Sequence, residues 1–308
     1  MKTIETLYSA PMAGVSDKPF RMMVRRFSGN VLFTEMVAAN ALKRKHPVTV
    51  KMMQIADEKN LIVQLVGNDL DALLYGAQMA ENMGAIGVDI NMGCPVKKLI
   101  ANGSGALLMT VPDAAAKIVE TVAGQINIPV SVKTRLGYDE KHKNVIAFSK
   151  ILESAGAAFI TVHGRTREML YRGASDWEMI ARVKENLNIP VIANGDIIDR
   201  KSALKALKIT GADGLMVGRG LLGKPWMLHT IGTGQTLSPD LGELAAQHLD
   251  LLIGYYGMPG LYVFRKHLAW YAAGKKKLAD FLRNVYAESD IKKIKTMVEN
   301  YMKENARV

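Results

Sequence analysis

The sequence predicts an α/β chain: a (β/α)8 TIM barrel followed by a small all-α region. Three observations predict it. Short β-branched or apolar runs recur eight times, segments of helical spacing alternate with them, and the rhythm stops near Thr233. Near-continuous apolar runs are the pattern of strands buried on both faces. Strand-then-helix repetition implies parallel strands joined by right-handed crossovers. Eight such units close into a barrel, with a doubly wound open sheet as the structural competitor.

The predicted strands fall in order at Thr6–Gly14, Val31–Val37, Leu61–Gly67, Gly87–Gly93, Pro129–Leu136, Phe159–Thr166, Pro190–Asp196 and Gly214–Gly220. Helical spacing is clearest over Leu70–Met83, Val111–Ile126, Ala147–Ala155 and Lys201–Ile209. The connection after the fourth strand carries an extra segment, Cys94–Thr110, and long connections in compact domains are more often functional than idle. Loops that follow strands lie on the carboxyl-terminal face of a barrel, where active sites sit. Beyond the barrel, GTGQTLSPD reads as a linker. Leu241–Tyr256, Leu261–Tyr271, Ala279–Tyr286 and Ile291–Lys303 read as amphipathic helices, punctuated by Gly257–Gly260 and Gly274. The expected division is 1–234 for the barrel and 235–308 for the helical region.

Lys and Arg number 40 against 29 Asp and Glu, a net charge of +11, which favours a polyanionic partner. The single cysteine excludes an intramolecular disulfide framework and a Cys-rich zinc site, and it fits a reducing compartment. No metal site is expected. No apolar run approaches the roughly 18–20 residues needed to span a bilayer, and Glu5 stands where a signal peptide needs an apolar stretch. The expectation is a soluble cytoplasmic protein, monomeric and without an obligate protein partner.

Chemistry is expected from polar and glycine residues at the carboxyl ends of the strands. Pro11-Met12-Ala13-Gly14 close the first, Gln64 lies in the third, and Asp89 and Asn91 precede Gly93-Cys94-Pro95 in the fourth. Lys133 and Arg135 come from the fifth, and His163, Arg165 and Arg167 from the sixth. Asn194-Gly195-Asp196 follow from the seventh and Gly218-Arg219-Gly220 from the eighth. Loops after strands seven and eight of such barrels often present backbone N–H groups and a helix amino terminus to a phosphate. Gly195, Gly218 and Gly220 would let backbone approach that anion, and Arg219 adds charge.

A lysine on a buried strand is costly without an anionic partner. Three roles are open to Lys133: a Schiff-base amine, a cation against an anionic reduced flavin with Gln64 on the ring edge, or the structural partner of Asp89 or Asp196. Cys94 sits in a rigid turn between Gly93 and Pro95, with Lys97 and Lys98 nearby, a poor setting for core packing. A thiol, of reference pKa about 8.5, is a competent proton donor. Nearby cations would instead favour a nucleophilic thiolate. Residue types alone leave both roles open.

Eight blocks recur in order through the barrel: Ala10–Val15 (APMAGV), Val63–Gly67 (VQLVG), Asp89–Pro95 (DINMGCP), Gly105–Leu108 (GALL), Val132–Arg135 (VKTR), His163–Thr166 (HGRT), Ala193–Asp196 (ANGD) and Val217–Gly220 (VGRG). Arg265–Tyr271 (RKHLAWY) extends the pattern into the helical region. In this order the motifs resemble the flavin-dependent tRNA-dihydrouridine synthases, most closely the bacterial B subgroup.

The resemblance implies an FMN enzyme that reduces uridine in tRNA to 5,6-dihydrouridine, with NADPH or NADH as reductant. It implies that Pro11, Met12 and Ala13 lie along the flavin and that Gln64, Lys133 and His163 hold the isoalloxazine. Asn194, Gly195, Asp196, Gly218 and Arg219 would take the ribityl phosphate region. Asn91 and Arg135 are expected at the uracil or the flavin edge, and Arg265 and Lys266 at the tRNA. The resemblance also chooses for Cys94: C6 of uracil accepts hydride from flavin N5, and Cys94 delivers the proton to C5 from the opposite side of the base.

The target base must leave its stack, so the RNA has to be gripped elsewhere, and the likeness assigns part of that grip to the helical region. From 235 to 308 eleven Lys or Arg oppose eight Asp or Glu, with Lys275–Lys277, Lys292, Lys293 and Lys295 clustered and Trp270 beside Arg265 and Lys266 in an earlier helix. Such contacts weaken with salt. Met169 stands where relatives commonly carry Gln, which bears on which uridine is reduced. The rivals are a dihydroorotate dehydrogenase-like FMN barrel, a colourless aldolase or isomerase barrel, and a non-catalytic tRNA-binding protein on the same scaffold.

Overall fold

The computed structural model describes residues 3–306. Its eight strands are β1 (Leu7–Ser9), β2 (Leu32–Ala38), β3 (Leu61–Val66), β4 (Gly87–Met92), β5 (Val130–Arg135), β6 (Phe159–His163), β7 (Val191–Asn194) and β8 (Gly214–Val217). All pair in parallel, in the order β1-β8-β7-β6-β5-β4-β3-β2. The ring is drawn together between its first two strands by one bridge, Tyr8 to Val31. In that bridge Ser9 N–H donates to the Val31 carbonyl at 3.2 Å, and one more bond reinforces the seam, Phe33 N–H donating to Ser9 Oγ at 3.1 Å. The (β/α)8 barrel expected from the sequence is the fold.

Strand alternation sorts the side chains. Val63, Leu65, Val88, Ile90, Val130, Val132, Ile160 and Val162 face the helices and join the main apolar core. The alternate residues face inward. There Phe33, Ile62, Ile192 and Met216 make an apolar plug beside the stacked rings of Tyr8 and Phe159, while Gln64, Asp89 and Ser131 are polar and fully enclosed.

The barrel helices are α1 (Lys18–Arg25), α2 (Ala39–Lys43), α3 (Pro47–Met52), α4 (Leu70–Asn82), α5 (Lys97–Ala101), α6 (Pro112–Ala123), α7 (Val145–Ser154), α8 (Trp177–Glu185), α9 (Arg200–Thr210) and α10 (Met227–Thr233). Aspartates start several of them. Asp17, Asp69, Asp176 and Asp199 each accept a first-turn N–H that would otherwise lack a partner.

Helices α11 (Leu241–Tyr256), α12 (Gly260–Tyr271), α13 (Leu278–Ala287) and α14 (Ile291–Glu304) form a second apolar cluster of their own around Leu249, Phe264 and Val298. The α11–α12 turn is tight: a Cβ on Gly260 would lie 2.3 Å from the Leu252 carbonyl oxygen. This region rests on the start of the barrel. Tyr256 Oη donates to Asp17 at 3.0 Å, and the Phe20 and His267 rings stack 6.0 Å apart.

His248 and His267 are enclosed there with ring centroids 4.4 Å apart, and His248 Nδ1 lies 3.1 Å from Tyr271 Oη. Burial lowers His248 to about 3 and His267 to about 2, so both are neutral in the folded chain. An unfolded imidazole takes up a proton near pH 6.5. Above that pH neither state binds the proton; below it only the unfolded state does, so stability is lost as pH falls. The expected loss is about 1.4 kcal/mol per histidine per pH unit below about 6.5. Thermal unfolding followed from pH 7 to 5 tests this, and a midpoint indifferent to pH over that range would refute it.

Candidate active site

The carboxyl ends of the strands surround a cavity of about 590 Å3. Pro11, Met12 and Ala13 form one wall because β1 stops at Ser9: Pro11 has no N–H to continue the ladder, and Gly14 turns the chain at φ +72°. Asn91 and Cys94 reach the cavity from β4 and its loop, Lys133 and Arg135 from β5, and His163 from β6. Asn194, Gly195 and Asp196 follow β7, and Gly218 and Arg219 follow β8. The sequence thus brings thirteen of its predicted site residues to one cavity.

The floor is strongly cationic. Lys133, Arg135, Arg165 and Arg219 all act on His163, which burial and these charges hold neutral. Burial, with Arg135 adding to it, lowers Lys133 to about 8, and Lys133 Nζ donates to Asn194 Oδ1 at 2.9 Å. Asn194 in turn donates to the Met216 carbonyl at 2.8 Å, so its amide has a fixed orientation. The ion pair of Lys133 with Asp89 or Asp196, one role open from the sequence, is not formed; the amide of Asn194 takes the ammonium instead.

Asp196 is the carboxylate of this wall. Arg165 Nη2 donates to its two oxygens at 2.8 and 2.7 Å, Arg219 at 3.2 Å and the Ser175 N–H at 2.8 Å. These donors hold Asp196 below the usual carboxylate range although burial opposes them. It organises the arginines rather than offering itself to an anion.

The glycines have a packing reason. A Cβ on Gly195 would lie 2.5 Å from Ser175 Oγ, and one on Gly220 would lie 2.8 Å from the Ile197 carbonyl oxygen. Gly218 leads into a short 3₁₀ turn, Arg219–Leu221, and the next helix waits until Met227. The helix terminus expected directly after strand eight is therefore this turn.

Cys94 is 8% exposed at the cavity edge. Burial pushes its thiol up, while the Val96 N–H, Arg135 and Lys133 pull it partway down. The cations that act on it are thus Arg135 and Lys133 from the barrel; Lys97 and Lys98, noted from the sequence, lie on the exposed side of α5. A thiol raised by burial is protonated at neutral pH, the form that gives a proton away. Arg135 shapes the same edge, donating to the carbonyls of Gly93, Thr166 and Leu170.

Three predicted residues lie elsewhere. Gln64 is fully enclosed below the cavity, bonded to Asp89 and Asn91. Arg265 is held between the rings of Tyr262 and Tyr286 and donates to the Tyr286 carbonyl at 2.7 Å, an internal strut between α12 and α13. Lys266 reaches the Gly14 carbonyl, while Glu35 accepts the Gly14 N–H. It ties the helical region to the wall loop.

Tyr171 joins the cavity lining without having been among the residues predicted from the sequence. Leu170 takes a left-handed φ of +56°, and Tyr171 then stands 60% exposed on the rim, with the Arg219 and Arg135 guanidinium carbons 5.1 and 5.8 Å from its ring centroid. The signal was an aromatic residue in a long basic loop after strand six. Met169, two residues earlier, packs toward Gly173 within that loop.

The family model described as dihydrouridine synthase (Dus) matches residues 8–307. The chain is 40% identical to a probable tRNA-dihydrouridine synthase of Rickettsia conorii, covering 95% of this chain and 92% of that protein. It is 43% identical to probable tRNA-dihydrouridine synthase 1 of Synechocystis, covering 85% and 76%. It is 38% identical to tRNA-dihydrouridine synthase B of Xanthomonas axonopodis, covering 88% and 85%.

Among solved structures, histamine dehydrogenase from Rhizobium shares the fold with a TM-score of 0.57 at 10% identity, over 80% of this chain and 49% of that one. A 2-naphthoyl-CoA reductase does so at 0.59 and 11%, over 75% and 50%. The family match runs through the barrel, the cavity and the helical region alike, and the chain belongs to the dihydrouridine synthase family.

Proposed function

We propose that this chain is a cytoplasmic, monomeric flavoenzyme that reduces selected uridines of tRNA to 5,6-dihydrouridine. The observation that carries the reading is one cavity at the carboxyl ends of the strands that Cys94 lines together with Lys133, Arg135 and Arg219. Bound FMN, itself reduced by NADPH or NADH, supplies the electron pair as hydride to C6 of the uracil ring.

The residues present fit that cofactor. Lys133, Arg135 and Arg219 line the cavity against a single lining carboxylate, Asp196, so it is poised for an anion such as a phosphate or an electron-rich ring. Arg219, with Asn194, Gly195 and Gly218, would hold the phosphate region, and Asp196 would orient Arg219 there. Lys133 and His163 would hold the isoalloxazine, against the wall of Pro11, Met12 and Ala13.

The proton comes from the chain. As the C5–C6 bond is reduced, charge develops on C5 and the C4 carbonyl, and Cys94 gives its thiol proton to C5. Hydride at C6 and proton at C5 together complete the saturation. Asn91 and Arg135, which line the same edge, would contact the uracil.

The tRNA is held beyond the cavity. Lys276, Lys277, Lys292 and Lys293 are exposed on the helical region and suit a phosphate backbone, whereas Lys295 is paired with Asp250. The purified chain, given FMN, NADPH and tRNA lacking the modification, is expected to yield dihydrouridine. Binding of tRNA without product under these conditions would favour the non-catalytic reading instead.

A further inference from the structure

A continuous chain of side-chain hydrogen bonds runs from the barrel interior to the backbone of Cys94. Gln64, Asp89 and Ser131 are register partners on β3, β4 and β5, and all three are enclosed. Ser131 Oγ donates to Asp89 Oδ1 at 2.7 Å, and Gln64 Nε2 donates to Asp89 Oδ2 at 2.7 Å. Gln64 Oε1 accepts from Asn91 Nδ2 at 2.9 Å. Asn91 Oδ1 accepts from the N–H groups of Cys94 at 2.8 Å and Gly93 at 3.1 Å.

The direction of every link is fixed from its two ends. Backbone N–H groups only donate and a carboxylate only accepts, so the Gln64 amide turns its NH2 toward Asp89 and its oxygen toward Asn91. Asn91 must then turn its NH2 inward, which leaves its oxygen for the two backbone donors. Side-chain amides have near-symmetric shapes and are oriented only by their partners. Remove the carboxylate and Gln64 loses its inner anchor, so Asn91 is held only by the two backbone donors and its grip on the loop loosens.

We propose that Asp89 is a positioning residue for the proton donor: it anchors the inner end of the Gln64–Asn91 chain whose outer end holds the Cys94 backbone at the cavity edge. Burying a carboxylate in a barrel is costly, and an aliphatic side chain would fill the same space, so a role in anchoring explains its presence. Burial raises Asp89 to about 7, while its two donors and Lys133 on β5 favour the charged form. The role rests on the reading of Cys94 as the acid.

The test uses the full-length chain, in which Cys94 is the one cysteine, so alkylation by iodoacetamide reports a single site. In Asp89→Leu the loop loosens and the buried thiol is expected to alkylate about fivefold faster or more. Single-turnover uridine reduction is expected to slow about tenfold, with KM for tRNA little changed.

Asp89→Asn distinguishes anchoring from general stability. Its amide oxygen can still accept from Gln64 once the Ser131 hydroxyl turns to accept, so it is expected to recover both rates to within about threefold of the parent chain. Alkylation in Asp89→Leu within about twofold of the parent, or Asp89→Asn as impaired as Asp89→Leu, would overturn the proposal. If Asp89→Leu does not fold, Gln64→Met breaks the next link, and the same rise in alkylation is expected. Full turnover in Cys94→Ser would end the acid assignment yet leave the alkylation result standing, so the two failures are separable.

Discussion

Cys94→Ser is expected to slow single-turnover reduction of uridine in tRNA by about 10²–10⁴-fold, the usual contribution of a general acid, while the flavin stays bound. The substitution changes one atom at a residue that is 8% exposed, so the cavity keeps its shape. It changes the acid. A serine hydroxyl is far weaker than a thiol at giving a proton to carbon. Burial already sets Cys94 as a thiol rather than a thiolate, with Arg135 and Lys133 close enough to steady the anion left after transfer. An undiminished single-turnover rate with flavin bound would remove Cys94 from the chemistry.

The largest effect on stability is expected at Asp196. Arg165 is 2% exposed and gives its Nη2 to both Asp196 oxygens, with further bonds to the carbonyls of Arg172 and Gly173. Asp196→Ala leaves a guanidinium buried without its counter-charge. Breaking such a pair from one side typically costs about 3–5 kcal/mol. The exposed pair with Arg219 adds little to that sum. Denaturant unfolding measures the loss, and a change under about 1 kcal/mol would show that the backbone carbonyls alone hold Arg165. Asp196→Asn is expected to fall between, since an amide keeps one acceptor.

The sequence revealed the strands better than the depth of their side chains. Runs such as LIVQLV and GVDINM read as buried strands, and Gln64, Asp89 and Asn91 stood out in them as polar residues. Alternation says nothing about the layer, however. Gln64 sits one layer below the cavity, and that became visible only once its register with Asp89 was known. The first strand was read too long because LYSAPMAG is apolar throughout, while Pro11 and Gly14 convert its second half into cavity wall.

Helix α8 has a weak pattern and was not singled out; its start is fixed by the Asp176 cap. Charge says nothing of the intramolecular contacts of Arg265 and Lys266. Long basic side chains in one helix suggested RNA; one is spanned by two tyrosines and the other crosses to Gly14. Tyr171 escaped because its position depends on the backbone of Leu170, a torsion that no periodicity encodes.

The join between Tyr8 and Val31 has a mechanical consequence. Every other pair of neighbouring strands is laced over several residues, but this one is a single stitch with a serine hydroxyl beside it. When the cylinder breathes, it should part there first, and the amides of Ser9 and Phe33 should exchange with solvent ahead of those in β4 and β5. Because Pro11, Met12 and Ala13 hang from that same lip, the side wall of the cavity is the panel most free to swing, and the Lys266 tether to Gly14 is its latch.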